Sequence, residues 1–401
     1  AAPPASAAGK GKPGAAKPGA AVAGTASSPC TQQGAPLILG QNGTFSGLVG
    51  ASIGANRIGL AIWQKAVNAA GGIQCHPIQI FQVDDGASPA QAASNVSDLI
   101  YNKKAVAILD AAVPLTLDAV RSVINKANVP VVGGDISDPG WFEDPLLFPQ
   151  GTGPIEGFTG GIALGNKLKG FTKLGILYCV EAAICATIHK EEERMAANSN
   201  TTLAYSQSIS LTQSSYTSEC QNAKNAGVQI IYMGADGSAL TRLASSCASL
   251  GYFPGLSGPG IAISPALSKS EALKKAGVYL GTIAAPFNTS DNPGTAEWTE
   301  AVKKYASGQP VDQSASNAWA AGKMLQAALN AVGPSLRERA ITTQDIFDGL
   351  YKLKNETLGG LVPPRTFVKG ELPKRVGCYW GLILDGNGFS APYGGRRLGT
   401  C

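Results

Sequence analysis

From residue 36 onward, short apolar runs alternate with longer amphipathic stretches, and that alternation confines the chain to parallel βαβ units. Leu37-Ile38-Leu39 reads as a strand and is followed by a glycine-rich loop over 40–54. Ile58, Ala61, Ile62, Ala66 and Ala69 then recur at helical spacing until Gly71-Gly72 stops the helix. The cycle repeats with strands over 78–83, 105–109 and 129–132 and helices over 89–101 and 115–127.

A glycine- and proline-rich crossing at 148–154 opens a second series of the same kind. Helices are expected over 155–168, 184–197, 217–226 and 237–250, with strands over 174–178, 203–209, 228–233 and 255–256. A second crossing is read at 281–287, helices over 296–306 and 316–332 return to the first lobe, and a late strand covers 379–384. Trp319 reads as core, and Arg396 and Arg397 as solvated. The fold class is therefore α/β: two Rossmann-like lobes with parallel sheets and a cleft between them. The expected boundaries are 35–150 plus 287–355 for lobe one and 151–286 plus 356–401 for lobe two. Ligands of open parallel sheets sit beyond the carboxyl ends of the strands, so function is sought in those loops.

The net charge of +5 does not make the chain a nucleic-acid binder. Lys10, Lys12 and Lys17 lie in the first thirty residues, the first acidic residue is Asp84, and the remaining body is close to neutral. No apolar run approaches the roughly 18 residues that span a bilayer. Residues 1–34 are dominated by Ala, Pro, Gly, Ser and Lys, too little apolar surface to offset ordering entropy, and read as a disordered tether. The chain starts with Ala, consistent with a signal segment already removed; Ser27-Ser28-Pro29 makes a poor lipid-attachment context for Cys30, so any lipid anchor is expected upstream.

Eight cysteines without a C-x-x-C pair, beside two histidines, argue against zinc and for disulfides in an oxidising compartment. Cys30 and Cys75 flank the first strand–helix unit, and Cys378 and Cys401 can clamp the C-terminal tail. Cys179–Cys185 is favoured across a strand-to-helix loop and Cys220–Cys247 between neighbouring helices. The last pairing needs the two helices to be offset, because their positions otherwise differ by roughly 10 Å along the axis.

The segments Leu37-Ile38-Leu39-Gly40, Thr44-Phe45-Ser46-Gly47 and Val67-Asn68-Ala69-Ala70-Gly71-Gly72-Ile73 carry a resemblance, continued by Val83-Asp84-Asp85, Pro89, Gln91-Ala92-Ala93 and Asn128-Val129-Pro130-Val131-Val132. Gly227-Val228-Gln229-Ile230-Ile231-Tyr232 and Leu250-Gly251-Tyr252 extend it. In this order the chain resembles the type I periplasmic binding proteins, in the branch that serves branched-chain amino acid ABC transporters. The resemblance implies three crossing strands at a hinge, ligand capture by lobe closure, an ABC permease as partner, and a place outside the cytoplasm.

The same resemblance exposes departures at the site. Where that branch grips an amino-acid carboxylate with small hydroxyl residues, this chain has Asp110-Ala111-Ala112-Val113-Pro114-Leu115-Thr116, with Thr116 as its one hydroxyl. A further hydroxyl falls at Ser137. The branch's lobe-two tyrosines fall near Ala183 and Ala235, and its ammonium-binding acid near Gly260. A zwitterion buried without partners for both charges is costly. The candidate ligand residues are Phe45, Ser46, Val113, Pro114, Thr116, Asp135, Ser137, Trp141, Glu181, Ala183, Ala235, Asp236 and Gly260, with Phe142 nearby. This set fits an apolar, aromatic or neutral ligand held by a few hydrogen bonds. The alternatives are a genuine branched-chain amino acid binder and a ligand-sensing ectodomain or regulator of the same fold.

An enzyme is not expected. Gly50-Ala51-Ser52-Ile53-Gly54 matches G-x-S-x-G, but about ten loop residues separate Ser52 from the strand, whereas the nucleophile elbow needs a sharp strand-to-helix turn. His189 sits beside Lys190-Glu191-Glu192-Glu193 on a solvated helix face, and His76 reads as a surface turn residue. Gly151-Thr152-Gly153 with Gly157 only approaches a dinucleotide fingerprint, and Asp84-Asp85 reads as a loop cap rather than a metal pair. No cofactor or metal is expected.

Overall fold

The computed structural model describes residues 30, 32–260, 263, 264 and 267–401. The tether expected over 1–34 thus falls almost wholly outside the described residues. The first sheet holds β1 (Leu37–Gly43), β2 (Ile78–Asp84), β3 (Ile108–Ala111), β4 (Val131–Gly134) and β5 (Leu147–Phe148), in the order β2-β1-β3-β4-β5 and parallel throughout. Between the strands run α1 (Gly50–Ile53), α2 (Asn56–Ala69), α3 (Pro89–Tyr101) and α4 (Leu117–Ala127). Local chemistry sets these helices. Ser88 caps α3 by accepting from Gln91 N, with Pro89 in the first turn, and Asn128 ends α4 in the left-handed conformation.

The second series comprises α5 (Pro154–Lys169), β6 (Lys173–Tyr178), α6 (Ala183–Asn198), β7 (Thr202–Ser208), α7 (Thr217–Asn225), β8 (Ile230–Gly234), α8 (Gly237–Ser249), β9 (Gly255–Pro259), α9 (Glu271–Ala276) and β10 (Val278–Thr282). The chain then adds α10 (Pro293–Tyr305), α11 (Gln313–Val332) and α12 (Thr343–Lys352), and closes with β11 (Trp380–Asp385) and β12 (Gly388–Ser390). The second sheet has the order β12-β11-β10-β9-β8-β6-β7, parallel except where β11 and β12 join antiparallel.

Each sheet is covered on both faces, as parallel sheets require. In lobe one, α2 and α10–α12 pack on one face around Leu37, Leu39, Trp63, Trp298 and Trp319, while α3 and α4 cover the other. In lobe two, α7–α9 face one side and α5 and α6 the other. Trp319 is a core residue, 5.8 Å from Trp298 between ring centroids. Leu358, Leu361, Val362 and Phe367 also enter the lobe-one core, where Phe367 meets Phe148 edge-on at 5.1 Å. This apolar stretch, expected with lobe two, is drawn to lobe one by burial.

Three connections join the lobes and are bonded to one another. Thr152 N donates to Ile283 O at 3.2 Å, and Ala285 N donates to Leu361 O at 2.8 Å. The Thr152 hydroxyl donates to Val376 O, and Gln150 Nε2 bridges Gly134 O and Asn317 O.

All eight cysteines pair, as Cys30–Cys75, Cys179–Cys185, Cys220–Cys247 and Cys378–Cys401. The strained pairing is relieved by a lengthwise offset of the two helices. Tyr216 N, at the start of α7, donates to Ser246 Oγ near the end of α8, and the Cys220 and Cys247 Cα atoms lie 5.1 Å apart. His76 differs from the sequence reading. It is buried, with Nδ1 2.6 Å from Ala35 O and Nε2 2.8 Å from Leu336 O, because the chain after Cys30 folds over it. His189 is exposed, stacks on Tyr178 at 4.4 Å and meets Glu192 at 3.3 Å.

Candidate functional site

The carboxyl ends of the two sheets face each other across an apolar cleft of about 70 Å³. Lobe one supplies Val49, Ser52 and Ile53 from the short helix after β1, Pro114 and Leu115 from the loop after β3, and Ser137 from the loop after β4. Lobe two answers with Phe158 of α5, Ile184 and Ile188 of α6, and Ala235 and Asp236 after β8. Cys179, Ala182, Leu211, Gly234 and Pro259 complete the wall. Cys179, one half of the Cys179–Cys185 disulfide, thus lines the cleft.

Toward the hinge lies a much tighter chamber of about 10 Å³, room for about one water-sized group, which shares Ser137, Phe158 and Pro259 with the cleft. Asp135, Gly260, Gly281, Ile283, Gln313 and Asn317 also line it. Asp135 is 1% exposed. Its Oδ1 accepts from Ser137 N at 2.8 Å and from the Ser137 hydroxyl at 2.6 Å, while Oδ2 has no hydrogen-bond partner. Burial pushes its carboxyl up to about 6, opposed by the two Ser137 bonds and by the nearby Val113 N–H. Ile136, between them, holds φ at +51°, a strained conformation for a β-branched residue.

The chemistry of the cleft wall is mostly spent internally. Asp236 caps α8, accepting from Ala239 N at 2.8 Å through Oδ1 and from the Ser238 hydroxyl at 2.8 Å through Oδ2. The Ser52 Oγ accepts from Gly237 N at 3.3 Å across the lobes. Ser52 is thus tied to a backbone amide, and none of its described hydrogen bonds involves a histidine, unlike the serine of a nucleophile elbow.

Of the residues singled out from sequence, Pro114, Ser137, Ala235 and Asp236 meet at the cleft, and Asp135 and Gly260 at the inner chamber. The others lie elsewhere. Trp141 and Val113 are fully buried in the lobe-one core, Trp141 against Gly134, and Phe142 joins the same cluster. Phe45 packs over Gly43, 5.4 Å from the Arg57 guanidinium. Ser46 bonds Asp84, and the Thr116 hydroxyl donates to Asp85 at 2.8 Å. Asp85 also accepts from Asn42 and Thr44, and Asp84 from Phe45 N, so the aspartate pair caps its loops. Glu181 accepts from Ser210 and Leu211 N at the cleft's lip, where Val180 is 63% exposed. Ala183 opens α6 with its side chain exposed, while its neighbours Ala182 and Ile184 face inward.

Sequence reasoning passed over Val49, Ser52, Ile53, Phe158 and Ile188. A signal for two of them was present: Val49 and Ile53 stand four residues apart in a glycine-rich loop, the spacing of one helical face.

Two doubly wound lobes on a three-segment hinge, with an apolar cleft between the strand ends, make the two-lobed architecture of a binding protein. The sequence pattern of the periplasmic binding protein family matches residues 36–366, and the chain belongs to that family. No curated protein matches it in sequence. Among solved structures it is similar to the branched-chain amino acid transporter substrate-binding protein of Streptococcus pneumoniae in complex with isoleucine. That likeness has 17% identity and a TM-score of 0.70, over 87% of this chain and 96% of that one. It is also similar to a fatty acid ABC transporter substrate-binding protein from Thermomonospora curvata, with 18% identity, a TM-score of 0.73 and coverage of 92% and 93%. A third is the R. palustris ABC transporter solute-binding protein in complex with benzoate, with 16% identity, a TM-score of 0.69 and coverage of 91% and 98%. The family is extracytoplasmic, and the four disulfides fit that setting. No described helix is long and apolar enough to cross a membrane.

Proposed function

We propose that this protein is the solute-capturing component of an ABC-type uptake system, and that it works by binding rather than catalysis. Its ligand is a small apolar, aromatic or neutral solute enclosed by lobe closure. The moving bodies are residues 35–150 with 287–355, and 151–286 with 356–401, the stretch 358–367 riding with the first.

One observation carries the ligand class. Among the described residues, the charged side chains lining the cleft and inner chamber are Asp135 and Asp236, and neither chamber is lined by a lysine, arginine or histidine. Where the amino-acid binders grip a carboxylate with small hydroxyl residues, this lining offers Ser52 and Ser137, and the Ser137 hydroxyl is already given to Asp135, so a buried carboxylate would be under-satisfied. The same scaffold is found with benzoate in one neighbour and serves fatty acids by description in another, which matches the apolar body of the proposed solute but not its neutral head.

The test is a thermal-shift screen of the oxidised protein against amino acids, aromatic acids, neutral aromatics, sterols and sugars. A ligand that binds only the folded form raises the melting temperature by mass action. Stabilisation by apolar or aromatic compounds is the expected result. Tight binding of leucine or valine by calorimetry would overturn the ligand class and restore the amino-acid role.

A further inference from the structure

The inner chamber holds a polar atom that the protein leaves without a partner. Asp135 Oδ2 is buried with no hydrogen bond of full geometry, whereas Oδ1 takes both donors that Ser137 offers and the Val113 N–H lies beside the carboxyl. An unmatched buried oxygen is costly, so an occupant of the chamber that donates a hydrogen there recovers that loss on binding.

Of the other polar side chains around the chamber, Gln313 and Ser137 are already committed. Gln313 Nε2 is committed to Ala285 O at 3.2 Å and Asn317 Oδ1 at 3.1 Å, and Gln313 Oε1 accepts from Phe287 N. The Ser137 hydroxyl proton already lies on Asp135. Asp110 stands at the end of the neighbouring strand β3, fully buried, and its carboxyl is raised by burial and further by the charge of Asp135. Asp138 adds a second negative neighbour to Asp135. A ligand carboxylate placed here would meet like charge and no free cation from the described lining.

Resting on the apolar-cleft reading, we propose that Asp135 makes the inner chamber a head-group subsite for solutes whose apolar body ends in a hydrogen-bond donor. The head is an ammonium or a hydroxyl, and a carboxylate on the same body is rejected. The body occupies the outer cleft between Ile53 and Leu115 of lobe one and Phe158, Ile184 and Ile188 of lobe two. The donor reaches Oδ2 beyond Ser137, at the point where the two cavities share a wall.

The experiment is calorimetric titration at neutral pH with 3-phenylpropan-1-amine, 3-phenylpropan-1-ol and 3-phenylpropanoate, alongside the hexyl series with the same three heads. The expected result is that the amine and alcohol bind the unmodified protein roughly tenfold or more tighter than the acid. Asp135→Asn, which removes the charge and adds an N–H donor, is expected to erase that preference while leaving a cooperative thermal melt. The comparison on the unmodified protein decides the matter even if the variant fails to fold. Equal binding of all three heads, or tighter binding of the acid, would overturn the subsite and leave the apolar cleft standing. Failure of every compound in both series would overturn the apolar cleft itself, and the subsite with it.

Discussion

Ser52 of lobe one accepts, through Oγ, a 3.3 Å hydrogen bond from the backbone N–H of Gly237 in lobe two. Its carbonyl is in turn held by the Ser314 hydroxyl at 2.8 Å, at the start of α11. One buried serine thus links the first turn of α8 to the scaffold of the opposite lobe, beside the cleft it helps to line. Ser52→Ala keeps the carbonyl contact and loses the cross-lobe bond. A neutral hydrogen bond contributes about 1 kcal/mol, so ligand affinity should fall about fivefold with little change in melting temperature. Small-angle scattering of the ligand-free variant should show a larger radius of gyration; an unchanged radius and affinity would mean that the contact does not hold the lobes together.

Stability should depend on pH in two opposite ways. Burial pushes the carboxyls of Asp110 and Asp312 up to about 7 and that of Asp135 up to about 6, against an ordinary value of 3.8. The folded chain therefore holds protons that the unfolded chain has released, and stability declines as pH rises from the ordinary value through 6 and 7. Asp345 runs the other way. The Arg339 guanidinium, at 2.5 and 2.6 Å, holds it well below 3.8, so its contribution is present above that value and is lost in stronger acid. Melting temperature should peak in mildly acidic buffer, and Asp110→Asn should flatten the decline toward neutral pH. A melting temperature that climbs steadily from pH 5 to pH 8 would contradict this.

Gly59 is a close-approach position, not a flexible one. A Cβ there would sit 1.9 Å from Ala315 O, where α2 crosses α11. Gly59→Ala gains about 1 kcal/mol of helix propensity but forces the helices apart, and overpacking of this sort costs about 1–3 kcal/mol or more. The expected outcome is a fall of several degrees in melting temperature, read by calorimetry, and a rise would show that the two helices part easily.

Two disulfides should separate stability from binding. In the chain-entropy account, Cys30–Cys75, with a separation of 45 residues, is worth about 4 kcal/mol, and Cys179–Cys185, with a separation of 6, about 2 kcal/mol. Replacing the first pair by alanines should lower the melting temperature more. Replacing the second should weaken ligand binding more, because Cys179 lines the cleft and Cys185 fixes the first turn of α6. Denaturant melts and titrations on both variants check the crossing of the two orders.

The lobes were legible because each strand and helix carries its own local pattern. The stripe from Ile58 to Ala69 lies within α2, and the run at 228–233 overlaps β8. Some signals were present but unread: Ile346, Phe347 and Leu350 share a buried face of α12, behind the Thr342 cap. Only the last two residues of β10 fell in the expected crossing at 281–287 and the first three went unread, since the strand runs straight into the hinge segment. The cleft was harder to read because its walls come from at least six separated loops. Large aromatics such as Trp141 and Phe45 look like pocket residues in sequence, yet tertiary packing takes the first into the core and lays the second over Gly43. Small or aliphatic residues such as Ser137 and Ile188 form the wall instead, and nothing in the immediate sequence of Ile188 distinguishes it from ordinary core.

The bonds that lace the three connections together make the hinge a fulcrum, and the inner chamber sits against it through Gly281 and Ile283. In a pivoting pair of jaws, travel grows with distance from the axle. With the lobes closing as proposed, Asp135, in the chamber against the hinge, would travel less than Ile184 and Leu211 of the outer cleft. A solute of the proposed kind would then meet a nearly static anchor at its tip and be gauged along its length by whether the outer jaws can meet around it.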